Sequence, residues 1–172
     1  HAVCGDARLL EGVQSGLRQL ATDHDAMLSR FAAAMDAFGS STGWWNRLLG
    51  RAESDQHLNL KKEGIFPLVH GVRSLALAPR VLETGTERRI AALVAGGWLE
   101  APLGRDLTDS LHFFMGLKLK AGLAELDTGK PVTGSVHVAS LSTLDRDLLK
   151  DTLGVVKRFK AHLRQHFHLD VL

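Results

Sequence analysis

The chain has 172 residues and a formal charge of only +2, from 21 basic and 19 acidic side chains; such a length suits one domain with a well-buried core, and such a balance excludes a nonspecific nucleic-acid binder. A single cysteine, Cys4, excludes an intrachain disulfide, a Cys-based zinc cluster and a CxxC redox pair, and fits a reducing cytoplasm. The longest strongly apolar run, residues 91–99, is broken by Gly96 and Gly97 and is about half the roughly 20 residues that span a bilayer, so a soluble protein without membrane contact is expected.

The first residues, His1-Ala2-Val3-Cys4, lack both Met and the charged start and apolar core of a signal peptide, and read as the start of a piece excised from a longer, multidomain chain. Apolar spacing is helical throughout, with no sustained two-residue alternation of β-forming residues. This predicts an all-α fold: an antiparallel bundle of about six helices, two of them long.

Asp6 is placed to cap a first helix carrying Leu9, Leu10, Val13, Leu17 and Leu20. Thr22, Asp23 and Asp25 open a second, with Met27, Leu28, Phe31, Met35 and Phe38, and the two should pair antiparallel. Glycines within residues 39–43 break the chain before Trp44 and Trp45, which read as core or domain-interface anchors, and the polar run 51–57 reads as a hinge. A third helix is predicted from near Ile65, with Pro67 in its first turn where a missing N–H does no harm, to a stop before Pro79. Thr84-Gly85-Thr86-Glu87 offers a capping box for a fourth that ends at Gly96-Gly97, with Trp98 and Leu99 folding back.

The fifth helix is expected over about residues 106–126, with Leu107, Leu111, Phe114, Leu117, Ala121 and Ala124 inward and Gly129-Lys130-Pro131 as its stop. Ser142 with Asp145 starts the last, whose stripe is Leu144, Leu148, Thr152, Val155, Phe159, Leu163 and Phe167. Residues 1–172 thus read as a single helical domain, with a subdivision into an N-terminal helical pair, 1–50, and a main bundle, 58–172, left open.

Residues 58–77, LNLKKEGIFPLVHGVRSLAL, carry the strongest functional signal. A turn delivers Lys61 and Lys62 beside a helix whose His70 and Arg73, three apart, share a face among Phe66, Val69, Val72 and Leu75. That grouping suits an anionic ligand and points to binding rather than bond-breaking chemistry. Other clusters read more plainly. Asp145 and Asp147 follow Gly134-Ser135 much as in a nucleotidyltransferase active site, but on a helix they point about 200° apart and cannot share two metals. His162, His166 and His168 lack the carboxylate of a metal helix and read as a polar helix end, so no metal site and no catalytic residue is assigned. Lys157, Arg158, Lys160 and Arg164 read as a solvated face, with a phosphate-contacting wall as the rival reading.

Three segments, NLKKEGIFPLVHGVRSLAL, TGTERRIAALVAGG and LSTLDRDLLKDTLGVVKRFKAHLRQHF, occur in an order and spacing that resembles the C-terminal substrate-binding domain of bacterial nucleotidyltransferases. In that family the helical domain follows a catalytic module, often behind CBS and cyclic-nucleotide-binding modules. The resemblance implies an accessory bundle that holds nucleotide or acceptor beside an upstream two-metal module, with Mg²⁺ confined to that module and no cofactor in this chain. It implies that the isolated chain is inactive and that the parent protein is a nucleotidyltransferase. The match carries over Lys61, Lys62, Pro67, His70, Gly71, Arg73, Thr84, Thr86 and Arg88; of these, Lys61, Lys62, His70, Arg73 and Arg88 are expected to bind substrate. Residues 117–123 lack the Arg and Gln of the pattern, and residues 134–141 its Asn and Pro. Expected partners are the upstream module in the same polypeptide and a nucleotide or protein acceptor, with no specific nucleic acid. A structural or regulatory docking module without a small-molecule ligand is the alternative.

Overall fold

The computed structural model describes residues 4–22, 25–36 and 57–171. The expected break at 39–43, Phe38, Trp44 and Trp45 lie outside the described residues. Six α-helices account for most of what is described: α1 (Ala7–Thr22), α2 (Asp25–Ala33), α3 (Phe66–Leu77), α4 (Thr86–Ala95), α5 (Ala101–Asp127) and α6 (Thr143–His166). The fold is all-α; β1 (His57–Leu58) and β2 (Val136–His137) form one two-residue antiparallel ladder, pairing His57 with His137 and Leu58 with Val136.

The core is built around α3. Its residues Leu68, His70, Gly71, Val72, Ser74, Leu75 and Ala76 are buried around nearly the whole circumference, as expected of a helix packed on every side. Asn59 starts this region: its side-chain Oδ1 accepts from the Lys62 amide at 3.1 Å, and its carbonyl accepts from the Lys62 and Glu63 amides. A π-helical turn, Lys61–Ile65, then runs straight into α3, with Pro67 in the first α-turn as predicted. Two glycines permit the closest approaches. A Cβ on Gly64 would fall 2.5 Å from the Phe114 ring of α5, and one on Gly71 would fall 2.5 Å from Leu163 and 2.7 Å from Phe159 of α6.

The α4 helix ends where predicted, with Gly97 at φ +73° and the Trp98 amide donating to the Leu93 carbonyl at 2.9 Å. Its start differs from prediction. The helix begins at Thr86 with Gly85 as the cap residue and no side-chain cap, so the capping box of Thr84 with Glu87 does not form. The fifth helix also starts earlier than residue 106: Pro102 serves its first turn, and the helix reaches 27 residues, about 40 Å.

Two ion pairs fix α5 and α6 antiparallel, Asp106 with Arg158 at 2.9 Å and Lys120 with Asp145 at 2.8 Å. Ser142 caps α6 as predicted, accepting from the Asp145 amide at 3.0 Å. The buried stripe of α6 is Leu149, Thr152, Leu153, Val156, Phe159 and Leu163, whereas Leu144 and Leu148 face outward. On α5, Ala124 is exposed rather than inward.

The α2 helix and the turn that follows it join the same core through Leu28, Ala32 and Met35. Ser29 Oγ donates to the Phe167 carbonyl at 2.9 Å, and Asp36 pairs with Lys160 at 2.9 Å and Arg164 at 2.8 Å. The Asp6 carboxylate accepts from the Arg8 amide at the start of α1, in keeping with its expected capping role. The α1 helix contacts both α2 and α3, yet Leu9, Val13, Leu17 and Leu20 are each more than half exposed. Among the described residues, no helix is long and apolar enough to cross a membrane.

Candidate functional site

The residues expected to share one binding face separate in the structure. His70 is buried, with its ring stacked on Phe66 (centroids 5.2 Å apart) and tilted against Phe31 (4.6 Å). Its Nε2 lies 2.6 Å from the Phe31 carbonyl; a carbonyl only accepts, so Nε2–H donates and the proton is held on that nitrogen. His70 therefore joins α3 to α2. Arg73 is exposed. The shared buried face of His70 and Arg73 is thus corrected: residues three apart differ by about 60° around a helix, enough to move the second from the core to its margin. Lys61 and Lys62 are exposed on the π-helical turn, and Arg88 is exposed in the first turn of α4.

Arg88 lines a groove of about 580 Å³ where the start of α4 meets α3 and α5. Ile65 and Val69 form one wall, Leu111 and Met115 another, and Thr84, Gly85, Thr86 and Glu87 the end formed by the first turn of α4. Lys61, Lys62, His70 and Arg73 are not among its lining residues. Glu87 turns toward α5, where its carboxylate lies 3.6 Å from His112 Nε2. The first turn of α4 has no side-chain cap, and an uncapped helix start favours negative charge.

The sequence reading overlooked Arg89. Thr86 and Ile90 face inward and turn Arg89 to the flank next to α3, where it is half-buried. Its guanidinium is held below its usual range, first by burial and then by the charge of Arg73. The adjacent pair Arg88-Arg89 was the available signal: consecutive helical residues point about 100° apart, so at most one can keep to the outer face. The overlooked groove walls, Leu111 and Met115, lie before the segment where the family pattern fails, so α5 contributes to the groove despite that failure.

On the basic face of α6, Arg158, Lys160 and Arg164 are ion-paired within the fold. Arg158 pairs with Asp106, Lys160 with Asp36, and Arg164 with Asp36 and, at 3.7 Å, Asp170. These pairs favour the solvated-face reading over the phosphate wall. Asp145 is tied to Lys120 and Ser142, which together hold its carboxyl below the usual range, while Asp147 is exposed on the helix. His162 and His166 stack 6.2 Å apart, and no group of three or more His, Cys, Asp or Glu suited to a metal ion occurs among the described residues.

The arrangement offers an apolar cleft with the hydroxyls of Thr84 and Thr86 and the charged side chains of Glu87 and Arg88 at one end, and no paired carboxylates among its lining residues. It can hold a ligand. No curated protein and no solved structure matches the chain. Residues 25–167 match the family described as "Putative nucleotidyltransferase substrate binding domain", and the chain belongs to that family.

Proposed function

We propose that this chain is the non-catalytic accessory domain of a nucleotidyltransferase and holds the nucleotide or the acceptor in the groove between α3, α4 and α5. The observation that carries the reading is the groove itself, with apolar walls from two helices and the uncapped start of a third, Thr84, Thr86 and Arg88 at its end. Family membership supports the substrate class. In this reading the upstream module of the same polypeptide supplies the two-metal chemistry and binds Mg²⁺, and this domain contributes no reacting group. The parent protein is a bacterial, cytoplasmic nucleotidyltransferase associated with CBS modules. Lys61 and Lys62 attract the anion from the turn before α3, and His70 keeps α3 in place.

Titration of the 172-residue chain with each nucleoside triphosphate, followed by amide chemical shifts, tests the proposal. Shifts should concentrate on residues 84–88 and on Val69, Leu111 and Met115, weaken as salt is raised, and disappear in Met115→Trp, which fills the groove from an exposed position. Unmoved groove resonances with all four nucleotides would sink nucleotide holding.

The docking alternative is favoured by one observation. Leu9, Val13, Leu17 and Leu20 repeat at steps of four, four and three residues on α1 and stay exposed, a stripe without a buried partner among the described residues and of the kind that meets another protein surface. Under that reading nucleotides leave the groove unchanged.

A further inference from the structure

Ile65, at the end of the π-helical turn, and Val69 of α3 line the groove four residues apart, and the next position in that row is Arg73. At the start of α4, the cap residue Gly85 and Thr86 line it, and Arg89 lies one turn further along. The two helices pack against each other, and the charge of Arg73 on the one acts on the half-buried Arg89 of the other. Neither guanidinium has a hydrogen-bonded or ion-paired acceptor among the described residues, although Arg158 and Arg164 on α6 both do.

An unpaired, half-buried guanidinium beside a second one is costly for a fold to keep, because both desolvation and like-charge repulsion act against it. The direction of the Arg89 shift, set by burial and by Arg73, reports both penalties. An anion placed between the two removes the repulsion and supplies the missing acceptors. A tetrahedral phosphate suits this best, since two planar forks can each take two of its oxygens.

We propose that Arg73 and Arg89 form a two-guanidinium clamp for a phosphate group at the α3–α4 margin of the groove. The ligand is then a phosphate ester whose uncharged part lies along Ile65, Val69, Leu111 and Met115. The proposal rests on the groove being the ligand site, and it names what the ligand must carry.

The test titrates ATP, inorganic tripolyphosphate and adenosine, without Mg²⁺, into the 172-residue chain and its Arg73→Gln, Arg89→Gln and Arg89→Lys variants. Lys150→Gln, on the outer face of α6, controls for loss of one positive charge, and circular dichroism confirms folding of each variant. ATP and tripolyphosphate should bind, each Gln variant should weaken both by about tenfold or more, and Arg89→Lys should recover only part of the loss, because an ammonium keeps the charge without the fork. Adenosine affinity should be low and the same in all variants. If ATP shifts the groove resonances with equal affinity in wild type and both Gln variants, the clamp is overturned while the groove reading stands. If adenosine binds as tightly as ATP, the phosphate requirement is overturned. If neither ATP nor tripolyphosphate binds, the clamp is overturned, and the groove reading is then decided by the remaining nucleotides and the acceptor. Binding of tripolyphosphate as tight as that of ATP supports the clamp and assigns the affinity to the phosphates rather than to the nucleoside.

Discussion

Gly71 lies where the backbone of α3 meets the rings and methyls of α6, and the space beside it is already taken by Leu163 and Phe159. Both neighbours are fully buried and cannot swing away without disturbing the core. Gly71→Ala should therefore destabilise the fold by about 1–3 kcal/mol through overpacking, despite the better helix propensity of alanine. Urea unfolding followed by circular dichroism checks this; a stability equal to or above wild type would show that α3 and α6 can separate at little cost. A glycine within such a segment signals some close approach, but its sequence does not say what approaches. His70 shows the same limit. A polar residue on a mainly apolar helix could be a ligand or a tie, and the deciding contact is a carbonyl 39 residues away on α2. Arg89 was harder to read, since its importance comes from a second arginine on another helix.

Among the elements, those defined by local rules were legible. The proline at the start of α3, the glycines closing α4 and the serine cap of α6 each act through backbone groups within a few residues. Legibility failed where two local signals compete, as at residues 84–87, where Gly85 replaces Thr84 as cap and Glu87 turns to His112. The end of α6 combines both kinds of signal. Its histidines were read as a polar terminus, yet His166 is packed edge-on against Phe167 at 4.7 Å and Trp98 at 6.2 Å. Burial lowers its pKa below the usual 6.5, and the neighbouring His162 and His168 lower it further. Above 6.5 the ring is neutral in folded and unfolded chains alike and contributes no pH dependence. As the pH falls through 6.5 the unfolded chain takes up the proton first, so stability drops until the folded-state pKa is passed. The melting temperature of wild type should fall more than that of His166→Gln between about pH 7.5 and about pH 5.5. The difference should be small, because the ring is still exposed. Parallel melting curves for the two proteins would remove His166 from the account.

At the scale of the whole molecule, the question is whether α2 belongs to the same cooperative unit as α3 to α6. The sequence allowed a boundary between an N-terminal pair and a main bundle because residues 39–56 are rich in turn formers and polar side chains. Nothing local could show that α2 returns to the far end of the chain. Three ties do so: Ser29 to the Phe167 carbonyl, the Phe31 carbonyl to His70, and Asp36 to Lys160 and Arg164. Leu28, Ala32 and Met35 are buried in the same core as Leu68 and Phe159. Burial of three apolar side chains outweighs surface ion pairs, so α2 should leave the bundle only when the core opens. We therefore expect residues 25–36 and 57–171 to unfold in one transition, with amides of α2 and α3 reporting the same opening free energy in hydrogen exchange. Asp36→Asn should lower that common value by about 1 kcal/mol, because the shared carboxylate is partly shielded from water and both of its cations lose it together. If Asp36→Asn lowers protection of α2 alone, or if α2 exchanges well before α3 in wild type, the helix is a separately opening flap and the boundary near residue 50 is real.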